Sequence, residues 1–191
     1  MIRVIVVDDH PALRAGLHTV LDSEPGITFA GESSGSEESL WPLLRRVGPD
    51  VVLLDYHLPK SDGLQLCYRI KQQVPAPAVI VFSAYASPEL LLPARLAKAD
   101  GVLNKGVGAR ELFETIRGVA AGERLLAPPS AALLHEAHAH IAEEDRALIG
   151  MLLDGATESE AARALNCAPS DVRHVVQRTL SALRRSAPVA G

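Results

Sequence analysis

Two of the most apolar runs in the first half of the chain, Val4–Val7 and Val51–Leu54, end abruptly in aspartate: Asp8-Asp9 after the first, Asp55 after the second. They belong to a series. Short β-branched runs at Arg3–Val7, Ile27–Gly31, Val51–Leu54, Ala78–Phe82 and Gly101–Leu103 alternate with longer stretches at Pro11–Leu21, Glu37–Val47, Leu64–Gln73, Pro88–Ala97 and Ala109–Ala121. In the longer stretches apolar residues recur near helical spacing. Near-continuous apolar strands separated by amphipathic helices pack as parallel strands buried on both faces. Residues 1–121 are therefore expected to fold as an α/β domain, a five-stranded doubly wound parallel sheet with right-handed crossovers.

The pattern changes after Gly122. Gly122, Pro128 and Pro129 mark a linker over residues 122–140 that carries one helix, Ala131–His140. Three further helices, Ile141–Leu153, Glu158–Leu165 and Ser170–Arg185, make residues 141–186 a small all-α unit. Gly155 and Pro169 punctuate it, and Thr157 and Ser170 are candidate N-caps. Apolar residues make up 48% and charged residues 22%, which excludes wholesale disorder. No run approaches the length of a membrane helix, and the N-terminus lacks the order of a signal peptide, so a cytoplasmic protein without membrane contact is expected. Cys67 and Cys167 stand far apart with no metal-ligand spacing around them, and are read as semi-buried free thiols.

In an open parallel sheet, ligands bind at the carboxyl ends of the strands, near the point where strand order reverses. Asp8 and Asp9 end the first strand and Asp55 ends the third, so adjacent central strands bring three carboxylates to one edge. Clustered carboxylates repel, and a hard divalent cation with oxygen ligands, such as Mg²⁺, relieves that repulsion. Lys105 after the fifth strand and Ser83 after the fourth are expected to face the same pocket. An aspartate beside such a cation, a lysine and a hydroxyl is equipped to attack phosphorus and become an aspartyl phosphate. His10, directly after the acidic pair, is read as a capping or packing residue.

These residues carry a family resemblance. Val-Val-Asp8-Asp9-His10, the segment from Asp55 through His57, Pro59 and Lys60 to Gly63, Phe82-Ser83-Ala84 and Leu103-Asn-Lys105-Gly resemble, in order and at element ends, the receiver domain of two-component response regulators. The resemblance implies a flavodoxin-like sheet of order 2-1-3-4-5, and an Asp55 that accepts phosphate from a sensor histidine kinase. It implies direct Mg²⁺ ligation by Asp9 and Asp55, a water-mediated role for Asp8, and a ligand from the main-chain carbonyl of His57. Lys105 would pair with phosphate, Ser83 would act as the switch, and Ala84 would leave a path to the aspartate. Such a chain phosphorylates and dephosphorylates itself but is not an enzyme toward external metabolites. Receivers usually carry an aromatic three residues before the switch lysine; this chain has Val102. His57 and Tyr85 flank the route of an attacking water, where bulk would slow phosphate loss.

The segment Ile141–Leu183 resembles the LuxR-type helix-turn-helix of the NarL/FixJ class. An acidic helix start at Glu143-Glu144-Asp145, Gly155, and Glu160-Ala-Ala-Arg-Ala-Leu165 precede a recognition helix. In that helix Val172, Val175 or Val176, Thr179, Leu180 and Leu183 form the inward stripe, while Arg173, His174, Gln177 and Arg178 lie outside. Although the chain has a net charge of −4, Ser170–Arg185 holds four arginines against Asp171 alone. Arginine can contact phosphate or guanine and glutamine can pair with adenine, so promoter DNA is the expected partner, read by a homodimer formed on activation. The resemblance makes Pro11–Leu21 and Ala109–Ala121 a dimer surface. The alternative keeps the receiver but has the divergent bundle bind a protein instead of DNA.

Overall fold

The computed structural model describes residues 1–59, 61–84 and 86–186, without the side chains of Glu136, His138, Arg185 and Ser186. Strand β1 (Ile2–Val7) leads into α1 (Pro11–Asp22), β2 (Ile27–Ser33) into α2 (Glu37–Val47), and β3 (Val51–Asp55) into α3 (Gly63–Ile70). Between β3 and α3, His57–Leu58 and Ser61–Asp62 form a two-residue antiparallel hairpin that the sequence pattern does not announce. Then come β4 (Ala78–Ser83), α4 (Pro88–Leu96), β5 (Gly101–Asn104) and α5 (Ala109–Ala120). The strands are parallel and the sheet order is β2-β1-β3-β4-β5, as expected.

Burial explains this order. Val4, Ile5, Val6 and Val7 of β1, Val51–Leu54 of β3 and Val79–Val81 of β4 are 0–1% exposed. Such strands fit only at the centre of a two-faced sheet, where each buried aliphatic side chain contributes roughly 1.5–3 kcal/mol. On one face Leu17 and Leu21 of α1 and Leu112, Ile116 and Val119 of α5 pack with Val4, Val6, Val51, Leu53 and Ile80. On the other, α3 packs against β3 and β4 with Leu64, Leu66 and Ile70 buried.

The register fixes what meets at the carboxyl edge. Val7 lies opposite Leu54, so Asp8 and Asp55 follow at one level. Asp55 lies opposite Phe82, which precedes Ser83, and Ser83 lies opposite Asn104, which precedes Lys105. Gly63 permits the hairpin to fold back here: a Cβ on it would sit 2.3 Å from the main-chain oxygen of Asp55. Asp62 starts α3, its Oδ1 accepting from the amides of Leu64 (2.9 Å) and Gln65 (3.3 Å).

The remaining helices are α6 (Ala131–His138), a 3₁₀ turn at Glu143–Asp145, α7 (Arg146–Leu153), α8 (Glu158–Ala164) and α9 (Pro169–Ser186). The expected helix over Ile141–Leu153 thus begins as a 3₁₀ turn. Thr157 caps α8 in a full capping box with Glu160. Ser170 is not a cap: α9 already starts at Pro169, whose missing N–H suits a first helical position, and Asp171 Oδ2 accepts from the Ala168 amide at 3.1 Å. Asn166 turns the chain between α8 and α9 at φ 51°, a left-handed conformation that asparagine tolerates.

Contacts divide the chain into two compact units differently from the boundaries expected at 1–121, 122–140 and 141–186. One unit is Met1–Ala86 with Lys98–Leu126; the other is Ser87–Ala97 with Ala127–Gly191. Helix α6, expected within a linker, packs in the second unit, and so does α4. The reason lies in the sequence of α4, Pro-Glu-Leu-Leu-Leu-Pro-Ala-Arg-Leu, which is apolar nearly all round and buries Leu90, Leu92, Pro93, Ala94 and Leu96. Within that unit α4 contacts α6, α7 and α9, and Arg95 Nε donates to the Leu153 carbonyl at 3.2 Å. Among the described residues no helix is long and apolar enough to cross a membrane.

Candidate functional site

At the carboxyl edge of β1 and β3, Asp8 and Asp55 are 1% and 2% exposed. Two carboxylates this deep require a counter-charge, and Lys105 supplies it. Its Nζ lies 2.6 Å from Asp8 Oδ2 and 2.9 Å from Asp55 Oδ2. Burial pushes the Asp55 carboxyl above its usual range, against the opposing pull of Lys105 and of the His57 amide. The same burial opposes the charge on Lys105, but Asp8 and Asp55 together outweigh it and hold the ammonium above its ordinary value. The His57 amide donates to Asp55 Oδ1 at 3.1 Å, which fixes that carboxylate's orientation. Asp9 is more open, its side chain 27% exposed.

Oxygens and one ring nitrogen from Asp8, Asp9, Asp55 and His10 all lie within 4.8 Å of one another. Asp9 Oδ1 is shut off from solvent without a well-directed hydrogen bond, and Asp55 Oδ2, equally enclosed, has among the described residues Lys105 alone beside it. Electron-rich oxygens left in that state suit a hard divalent cation. The donor set therefore fits such an ion. His10 departs from its expected role: its backbone occupies the N-cap position of α1, but its side chain makes no capping bond. The ring turns back instead, with Nδ1 3.0 Å from Asp8 Oδ1 and 2.9 Å from Asp9 Oδ1.

Ser83 and Lys105 are tied through the main chain. Ser83 is fully buried and its carbonyl accepts from the Lys105 amide at 2.8 Å. Ala84 is exposed. Val102, at the position where an aromatic was expected, is half-buried. The ring of His57 is exposed and meets Tyr56 edge-on at 4.4 Å. Tyr85 and Lys60 lie outside the described residues. Of the two thiols, Cys67 is fully buried, beyond the semi-buried state expected, and Cys167 is half-buried.

Two residues that hold the pocket were missed from sequence. Arg14 Nη1 donates to the Asp8 carbonyl at 2.7 Å and its Nε pairs with Glu32 at 3.3 Å, so the first turn of α1 clamps the end of β1. Asn104 Nδ2 donates to the Ala84 carbonyl at 3.1 Å, while its Oδ1 accepts from Gly106. That tie spans the ends of β4 and β5, and the only sequence signal for it was the place of Asn104 next to Lys105.

In the helical unit, Val172, Val176, Thr179, Leu180 and Leu183 of α9 are buried, while Val175 is half-buried. Arg173 and His174 are exposed and Gln177 is half-buried. Arg178 is engaged by its own chain: its guanidinium forks onto buried Asp145, with Nη2 2.7 Å from both carboxylate oxygens and Nε 3.1 Å from Oδ2. The acidic start at Glu143–Asp145 thereby becomes an anchor for α9.

A family model described as the response regulator receiver domain matches residues 4–117. The DNA-binding transcriptional activator DevR/DosR of Mycobacterium tuberculosis is 30% identical, over 96% of this chain and 88% of its own. A two-component response regulator of the LuxR family from Aurantimonas superposes with a TM-score of 0.60 at 29% identity, covering 72% of this chain and 97% of that one. ChrA, the response regulator of a heme-sensing two-component system, superposes with a TM-score of 0.55 at 27% identity, over 96% of each chain.

Proposed function

The chain belongs to the response-regulator family, in its NarL/FixJ branch, and from that premise we propose that it is a phosphorylation-controlled, cytoplasmic transcription regulator with Asp55 as phosphoacceptor. The observation that carries the reading is the Asp55 carboxylate, 2% exposed at the end of β3 and 2.9 Å from Lys105 Nζ. A carboxylate oxygen of Asp55 forms the new bond to phosphorus as the bond from phosphorus to the donor nitrogen of a sensor kinase histidine breaks. Lys105 faces the negative charge that accumulates on the phosphoryl oxygens, and the His57 amide holds the attacking carboxylate in line. Asp8, Asp9 and Asp55, with the His57 carbonyl, would hold Mg²⁺, which when bound supplies further charge neutralisation at the phosphoryl group.

Residues 1–121 act as the receiver and 141–186 as the output. The DNA-binding activator among the relatives supports promoter DNA as the partner of α9, with Arg173 and His174 as its exposed polar contacts. Arg178, paired with Asp145, serves the packing of α9 first and contacts DNA from that fixed position. Phosphorylation shifts a two-state equilibrium of the receiver around Ser83 and Lys105, and α1 and α5 supply the surface on which two copies pair.

The reading is tested by incubating the protein with Mg²⁺ and a labelled small phosphodonor such as acetyl phosphate. A label that hydroxylamine removes, as it does acyl phosphates, and that Asp55→Asn abolishes is expected. Label that survives in Asp55→Asn would assign the chemistry elsewhere.

A further inference from the structure

Away from the carboxylate pocket, the helical unit holds a cavity of about 200 Å³. Its wall is aliphatic: Leu92 of α4, Leu134 and Ala137 of α6, Ile141, and Ile149 and Leu153 of α7. Helix α4 contacts both α6 and α7, so the three helices surround one apolar space. Protein interiors are close-packed, with few gaps larger than a water molecule, and a space of this size departs from that rule. Ordered water needs several polar partners, which an aliphatic wall does not offer, whereas an apolar cavity of about 150 Å³ takes up benzene.

The mouth is set by α7. Arg146, Gly150 and Asp154 line the cavity at steps of four residues, one stripe along the helix and its C-cap. Gly150 lies inside α7, where only proline is less favourable than glycine. Neither a left-handed φ nor a close neighbour requires it. Its φ is not positive, and a Cβ on it would meet no atom of the described residues within 4 Å. What the missing side chain leaves is an opening between Arg146 and Asp154, roughly 12 Å apart along the helix. Both of these side chains are exposed, and Arg146 Nε donates to the Ile141 carbonyl at 3.3 Å. With one cation and one anion at the mouth, a ligand of either charge gains from one and is repelled by the other.

We propose that this cavity is a binding site for a small uncharged aromatic molecule, one ring in size, that enters past Gly150 and packs against α4, α6 and α7. The aliphatic wall selects an apolar ring, the volume limits its size, and the balanced charges at the mouth select against ions. A ligand that binds the folded unit and not the open one stabilises it by mass action. The site therefore gives the helical unit a chemical input that does not draw on Asp55.

The full-length protein is titrated with benzene and, separately, with benzoate, while NMR follows the leucine and isoleucine methyl groups. Benzene should saturate at one molecule per chain and shift the methyls of Leu92, Leu134, Ile149 and Leu153. Gly150→Leu, which fills the opening, should weaken binding by at least about tenfold and leave the melting temperature at or above the wild-type value. Leu134→Phe fills the space from α6 and should weaken binding similarly, which keeps the test sound if Gly150→Leu does not fold. With benzene at about ten times its dissociation constant, hydrogen exchange of the Leu92 and Ala94 amides should slow about tenfold, since an opening that frees α4 also frees the ligand. Shifts that never saturate, or that persist with unchanged affinity in both variants, overturn the site. Benzoate binding as tightly as benzene overturns the uncharged class of ligand, and unaltered exchange in α4 overturns its place in the wall.

Discussion

The two charged regions of this chain are built on opposite terms. At the sheet edge, Asp8 and Asp55 are buried and Lys105 is half-buried, and strand register brings Lys105 within hydrogen-bond reach of both carboxylates. On α9, Arg173 and His174 are exposed, whereas Arg178 is held by Asp145 from 33 residues away. Charge that is buried must be paired or put to use, because leaving it alone costs several kcal/mol. Charge that is exposed costs almost nothing to keep, so its presence constrains function much less. Substitutions in the two regions should therefore fail in different ways.

The largest contrast is at Asp9. It belongs to the pocket but is partly open and carries none of the packing, so Asp9→Asn should leave stability within about 0.5 kcal/mol. Phosphoryl labelling by acetyl phosphate with Mg²⁺ should nevertheless fall by roughly 100-fold, since a metal's charge stabilisation is worth several kcal/mol. Normal labelling with normal stability would remove Asp9 from the cation site.

Gly63→Ala comes next. The added methyl would meet the main-chain oxygen of Asp55 at 2.3 Å, so the hairpin or the end of β3 must move. Chemical denaturation should show a loss of about 1–3 kcal/mol, with slower labelling of a carboxylate that is no longer held in place. An unchanged labelling rate would mean that the pocket tolerates displacement, and that its order matters less than proposed.

These two predictions touch what could and could not be read from the chain alone. The sheet was legible because Val4–Val7 and Val51–Leu54 are too apolar to sit anywhere but its centre, and Asp8, Asp55 and Lys105 were legible because strand ends converge there. The clamp by Arg14, the tie from Asn104 to Ala84 and the fork of Arg178 on Asp145 were not. Each depends on where a long or flexible side chain reaches after the backbone is set, and no spacing encodes that. For His10 only the position was legible: it takes the N-cap backbone place, but the turn of its ring onto Asp8 and Asp9 depends on a rotamer that the backbone does not fix. The membership of α4 in the helical unit had a signal, its lack of a polar face, that a helical-spacing argument passes over.

Within the helical unit, Asp145 and Arg173 should separate structure from recognition. Asp145→Ala removes the buried anchor of α9 and should cost about 1–3 kcal/mol in thermal or chemical unfolding. Arg173→Ala should leave stability within about 0.5 kcal/mol. It should still weaken DNA binding and lower the salt dependence of that binding by about one ion. Equal stability losses at the two sites would erase the distinction between anchor and reader. Unchanged DNA binding in Arg173→Ala would point instead to a protein partner for this face.

The smallest effect is expected at the surface pair that joins α2 and α3. Arg69 hydrogen-bonds Glu37 and holds its carboxyl below the usual glutamate range, against a weaker effect of burial. A carboxyl lowered on folding contributes stability that is present above its unfolded pKa of about 4.3 and lost as pH falls through the folded value. Because both side chains are largely exposed, Arg69→Met should cost no more than about 0.5 kcal/mol at neutral pH, and less near pH 3. A difference that grows on acidification would contradict the assignment.

The central claim, that one carboxylate at the end of β3 controls the whole chain, is tested most directly with beryllofluoride, a mimic of the phosphoryl group. Gel-filtration mass and salt-dependent DNA binding are compared with and without Mg²⁺ and the mimic, using Asp55→Asn as control. A shift to dimer with salt-sensitive DNA binding, absent in the control, is the predicted result. No change of mass or DNA binding in the wild-type protein, or the same change in Asp55→Asn, would contradict it.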